Sequence, residues 1–173
     1  MSTYAKSAEV HRILSRAFDP WRRQFGFKRL ASGQCAFVKA AASNDSELLA
    51  FEVQCSSFGS SAHGNAFTLN AAVGLIDPRN LSGRHARILS GANVDLLAAA
   101  SALQGKILDR QPLIQPRDRS WQRGNDNWCC YYAANDAQDW GELLALHLST
   151  LLAEFLAQRN FTPEHFGNLQ LQI

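Results

Sequence analysis

Apolar positions along the chain change their period twice, from three-to-four residues to two and back again. Near the start, Val10, Ile13, Leu14, Ala17, Phe18, Trp21 and Phe25 recur at three and four, the spacing that gathers side chains on one helix face. Lys6, Arg12, Arg16, Arg22 and Arg23 fall mainly off that face. Pro20 interrupts the stripe. It predicts either a helix kinked at the proline or a second short helix capped by Asp19. Gly26 ends the segment as a left-handed cap.

The period then drops to two. Phe27–Leu30 and Gln34–Lys39 flank Ala31-Ser32-Gly33, as strands flank a hairpin turn. Residues 40–47 are small and polar and read as a loop. Over Leu48–Ser57, Leu49, Phe51, Val53 and Cys55 alternate with Ala50, Glu52, Gln54 and Ser56. Over Ala66–Leu75, Phe67, Leu69, Ala71 and Val73 alternate with Thr68, Asn70 and Ala72. Two successive strands with this pattern predict a sheet with one buried face, and helices must cover it. The Gly/Ser-rich stretch 58–65 between them reads as a connection.

The middle is less regular. Asp77-Pro78-Arg79-Asn80 reads as a turn, and Arg84–Leu89 as one or two helical turns. Asn93 or Asp95 caps a helix over Val94–Leu103 that Gly105 closes. Arg117–Arg123 and Trp128–Ala133 read as a hairpin around residues 124–127, the aromatics Trp128, Tyr131 and Tyr132 favouring strand. The helical period returns at the end. Trp140, Leu143, Leu144, Leu148, Leu151, Leu152, Phe155 and Leu156 form a broad stripe, which predicts a single helix from a cap at Asp139 to about Arg159. The fold expected is therefore α+β: a two-layer sandwich, a mostly antiparallel sheet of five or six strands packed on N- and C-terminal helices. With 173 residues it forms a single domain, with a possible helical or loop insertion at 77–110.

Charge adds a detail that the net value of +2 hides. Residues 1–39 carry eight Lys/Arg against two acids, residues 40–76 none against three, residues 77–123 eight against four, and residues 124–173 one against six. Either the ends complement each other across the fold or the molecule has a basic and an acidic face. No run of apolar residues nears the roughly 18 of a membrane span, and the N-terminus lacks an apolar signal stretch. The expected setting is cytoplasmic, away from membranes. Cys35, Cys55, Cys129 and Cys130 make no CxxC spacing and sit in apolar or strand-like runs, as buried reduced thiols do.

One resemblance emerges from the strand region. Gly26-Phe27-Lys28-Arg29, an aromatic strand around Phe37, Phe51-Glu52-Val53-Gln54-Cys55-Ser56, and Phe67-Thr68-Leu69-Asn70 leading to Val73-Gly74 resemble an uncharacterised, mainly bacterial family known as domain of unknown function forty-three hundred and four. The likeness spans about residues 10–75, with a weaker echo near Trp121 and Trp128 and in the final helix. It implies a compact α+β domain and supplies no activity, cofactor or catalytic residue.

Candidate chemistry is sparse. His11, His63, His85, His147 and His165 form no pair at metal-ligand spacing, and neither metal nor cofactor is expected. Cys55 and His63 stand eight residues apart and offer a conceivable thiolate–imidazole pair, but the alternation puts Cys55 on the buried face. No GxSxG, Walker or dinucleotide-binding glycine pattern is present. Glu52, Gln54, Thr68 and Asn70 form the best-placed polar cluster, a ligand-binding candidate because strands hold such side chains rigidly. Whether that face is open to water or covered is left open at this level. Arg22, Lys28 and Arg29 beside Trp21, and Arg117 and Arg119 beside Trp121, are nucleic-acid candidates, since arginines and a stacking aromatic hold single strands. The reading favoured by the sequence is a non-catalytic binding module whose partner is another protein. A small enzyme or ligand-binding protein using the sheet face, and a nucleic-acid binder, are the alternatives.

Overall fold

The computed structural model describes residues 5–30, 34–56, 65–80, 86–89, 94–110, 122–123, 126–167 and 169. The first apolar stripe forms one helix, α1 (Ser7–Gln24), which runs through Pro20 in its last turns. Asp19 is inside it and does not begin a second helix. Gly26 adopts φ +73° and turns the chain back toward the sheet, a conformation that a Cβ penalises.

Five strands follow in space as well as in sequence: β1 (Lys28–Arg29), β2 (Ala36–Ala40), β3 (Leu48–Cys55), β4 (Asn65–Gly74) and β5 (Ala86–Arg87) pair in that order, all antiparallel. The segment expected to be helical at 84–89 thus supplies a two-residue strand at Ala86–Arg87 followed by a turn, because pairing with β4 outweighs a weak local preference. After α2 (Val94–Asp109) and a small hairpin of β6 (Gln122–Arg123) and β7 (Asp126–Asn127), strand β8 (Cys129–Tyr131) joins the same edge of β4 that β5 uses further along. Helix α2 runs six residues past the predicted end and includes Gly105. Its Leu96, Ala100, Ile107 and Leu108 are buried in the main core, which outweighs the roughly 1 kcal/mol that a helical glycine costs.

The final stripe is not one helix. It divides into α3 (Ala134–Ala145) and α4 (Leu148–Gln158), bent by 60°. Near the break, Leu146 and His147 donate to the carbonyls of Leu143 and Leu144, the i→i−3 bonds of a tightening last turn. The start lies at Ala134 rather than at a cap on Asp139. Asp136, in the first turn, reaches back and its Oδ2 accepts the N–H groups of Tyr132 and Ala133, both at 2.9 Å. Its other oxygen accepts from Arg110, just past the end of α2, at 3.0 Å. A short 3-10 turn (Pro163–Phe166) follows.

The core lies between the helices and the Phe51 face of the sheet. Phe51 is ringed by Phe37 at 5.0 Å, Trp21 at 5.6 Å and Phe27 at 5.7 Å between centroids, and Trp140 meets Phe67 edge-on at 6.5 Å. This is the expected α+β sandwich, with a mostly antiparallel sheet and the N- and C-terminal helices on one face. Among the described residues no single helix is long and apolar enough to cross a membrane.

Candidate functional site

The two strands that show the clearest alternation place the polar cluster. Because partners in an antiparallel pair share a face, the register Glu52↔Asn70↔Arg87 and Gln54↔Thr68 sets all five side chains on the sheet face away from Phe51. Gln54 Oε1 accepts from Asn70 Nδ2 at 2.8 Å and from Arg87 Nη1 at 3.1 Å, and Arg87 Nη1 also reaches Asn70 Oδ1 at 3.3 Å. A guanidinium only donates, so both amide oxygens must turn toward it, which fixes the orientation of Gln54 and Asn70. The Arg87 guanidinium lies over the Trp128 ring at 4.9 Å, within cation–π range.

This face is not simply open. Thr68 and Asn70 are fully buried, as are Ala50 and Ala72 on the same side. Thr68 Oγ1 donates to the Asn127 carbonyl at 2.9 Å, and Asn127 Nδ2 donates to the Leu89 carbonyl at 2.6 Å. Glu52, Gln54, Arg87 and Trp128 are half-buried. The Glu52 carboxylate flanks Asn70 and makes no hydrogen bond or ion pair among the described residues. The sequence pointed to Glu52, Gln54, Thr68 and Asn70, and they do lie together. It missed Arg87, Trp128 and Asn127, which reach them only through the pairing of β5 with β4 and the approach of β8.

On the opposite face Cys55 meets a histidine that is distant in sequence. His63 lies outside the described residues. His11, on α1, brings Nε2 to 3.7 Å from Cys55 Sγ. The Ser7 and Tyr131 hydroxyls also approach this thiol, and Ser15 approaches Cys35. His11 Nδ1 accepts the Cys35 backbone N–H at 3.1 Å. A neutral imidazole whose Nδ1 accepts must carry its proton on Nε2. Nε2 therefore faces Cys55 as a donor and has no lone pair with which to take the thiol proton. Burial lowers the His11 pKa, raises that of Cys55 and pushes that of Cys35 up to about 12. The pair is set to keep a neutral thiol beside a neutral imidazole, the reverse of an activated nucleophile. Among the described residues no three His, Cys, Asp or Glu side chains gather closely enough to hold a metal ion.

The nucleic-acid candidates separate. Trp21 is buried and donates Nε1–H to Ser149 Oγ at 2.8 Å, so it offers no ring to a base. Arg22 is engaged by Asp19 and by the Phe27 carbonyl, at 2.8 Å from Nε and 3.2 Å from Nη1 respectively. The Arg22 hydrogen bond and the surrounding guanidinium groups hold the Asp19 carboxyl below its usual range. Lys28 and Arg29 are exposed on β1. Arg117, Arg119 and Trp121 lie outside the described residues.

Comparisons with family models, with curated proteins and with solved structures find no match to this chain.

Proposed function

We propose that the chain is a non-catalytic protein-interaction module of the bacterial cytoplasm. The observation that carries this reading is the outward display of segregated charge. Residues 5–30 hold seven Lys/Arg against two acids. Lys6, Arg12, Arg16, Arg23, Lys28 and Arg29 are all exposed, on one helix and the strand after it. Complementary fields of this kind steer encounters and set specificity between proteins. Membership of the family resembled by the Gly26–Arg29, Phe51–Ser56 and Phe67–Asn70 runs belongs to the same proposal. The ligand-binding alternative on the sheet face has less support, because Gln54, Thr68 and Asn70 are engaged with Arg87, Asn127 and one another.

The test is cross-linking and affinity capture with the full chain, beside a variant carrying Arg12→Glu, Arg16→Glu and Arg23→Glu. These positions are exposed, so the fold survives the change. Loss of the wild-type partners in the variant supports the reading, and an identical set of captured proteins refutes it. The same exposed cations support nucleic-acid binding as a second reading. That reading predicts retention of a single-stranded oligonucleotide at low salt, with affinity falling linearly on a log–log salt plot. No binding at low salt removes it.

A further inference from the structure

Helices α1 and α3 lie side by side and run parallel. The Ala5 N–H donates to the Tyr132 carbonyl at 2.8 Å near their starts. A Cβ on Gly141 would touch Ala17 and Leu14 midway, and Trp21 bonds Ser149 just beyond the end of α3. Position n of α1 therefore stands level with about position n + 127 of the α3 segment. The exposed edge of α1 carries Arg12, Arg16 and Arg23, spaced so that they fall within one stripe. The outward stripe of α3 carries Asp139, Glu142 and Leu146, and Leu146 is 75% exposed. A positive stripe and a negative stripe with an exposed leucine thus stand next to each other on one helical layer.

Resting on the reading of this surface as a protein-binding face, we infer that its partner is a second copy of the same chain. A two-fold axis parallel to the helices, set over the groove between them, lays α1 of each copy across α3 of the other without changing height. Arg12 then meets Asp139 of the second copy, Arg16 meets Glu142, and Leu146 lies near the exposed Pro20. Every contact occurs twice, as a closed two-fold interface requires. An axis across the helices would instead stack α1 on α1 and bring arginine against arginine, so the charge pattern selects one of the two in-plane axes. Among the described residues Arg12 has Glu9 at 3.9 Å and Asp139 has Arg110 at 3.7 Å, both loose, whereas Arg23 is held by Asp19 at 2.7 Å; Arg12, Arg16, Asp139 and Glu142 are the charges that stay available to a facing copy.

The size of the face sets the strength. A helix of α1's length is roughly 27 Å long, and two packed helices cover roughly 20 Å, or about 500 Å² per copy. That is below the about 800 Å² per partner of standard interfaces, so the dimer is weak and its affinity falls as salt screens the charges.

Sedimentation equilibrium of the full chain across micromolar to submillimolar concentrations tests this, at about 20 mM and about 500 mM NaCl. A dimer at low salt, with a dissociation constant at least about tenfold higher at high salt, is expected. Arg16→Glu and Glu142→Arg each place like charges opposite one another twice, and each should weaken self-association at least about tenfold. Mixed in equal amounts, the two variants place opposite charges at both positions, and the mixture should recover the dimer. A chain monomeric throughout at low salt, or a mixture no better than either variant alone, overturns the two-fold pairing. So does a monomer that binds oligouridylate and loses it with Arg16→Glu, which would assign the stripe to nucleic acid. The broader protein-interaction reading fails separately, through capture unaffected by the triple charge reversal.

Discussion

Replacing Gly141 by alanine should destabilise the protein, although α3 as an isolated helix would gain from the change. Ala in place of Gly in a helix interior contributes about 1 kcal/mol through propensity. Against this, the new Cβ would stand 2.7 Å from Ala17 Cβ and 3.3 Å from Leu14 Cδ2, while carbon atoms rest at roughly 3.5–4.0 Å. Ala17 has no rotamer with which to withdraw, and Leu14 is fully buried. The helices must separate by about 1 Å to restore contact distance, which stretches the Trp21–Ser149 hydrogen bond and opens space around Phe18 and Trp140. Overpacking of this kind costs about 1–3 kcal/mol, leaving a net loss of about 1 kcal/mol after the propensity gain. Urea unfolding followed by tryptophan fluorescence measures it. The sharper quantity is the coupling with Ala17→Gly, which removes the opposing methyl. In the double variant the two propensity effects cancel and the clash disappears, so a favourable coupling of about 1–3 kcal/mol is expected. A single variant about 1 kcal/mol more stable than the wild type, with no coupling, would show that the helices are not in close contact at this point.

Two further outcomes follow from the polar interior. Asp136→Ala removes the acceptor for Tyr132 and Ala133 and leaves Arg110 without its closer carboxylate; a loss of about 3 kcal/mol in urea unfolding is expected, with Asp136→Asn recovering part of it, and a loss below about 0.5 kcal/mol would refute the capping role. The folded protein holds His11 below the 6.5 of a free imidazole because burial disfavours the cation, so the unfolded chain binds more protons between that lowered value and 6.5, stability rises with pH across this window, and His11's contribution is lost as pH falls through it. His11→Gln, which can still accept from the Cys35 N–H, should lose less stability than the wild type between pH 7.5 and about 5.5, and equal losses would show that His11 is not held neutral.

Much of the architecture was legible along the chain, because it depended on local periodicity. The alternation through Phe51 and Leu69 defined two strands and their faces, and the N-terminal stripe defined α1, whose end at Gly26 needed a residue tolerant of positive φ. The polar set Glu52, Gln54, Thr68 and Asn70 followed from the same alternation, since a period of two sends every second side chain to one side. What periodicity does not carry is which distant segment fills the space beside a strand. Arg87 and Trp128 became neighbours of Asn70 only because two short strands share one edge of β4. His11 was brought to Cys55 from 44 residues away because α1 packs across the sheet. The break between α3 and α4 has no proline or glycine to announce it. The apolar stripe continues through both helices, and only packing against α1 and the sheet required the chain to bend at Leu146 and His147. Sequence determined the elements and their inward faces, because burial of an apolar stripe is a local property. Tertiary structure decided the partners of each polar group, because a hydrogen bond depends on positions that chain spacing does not encode.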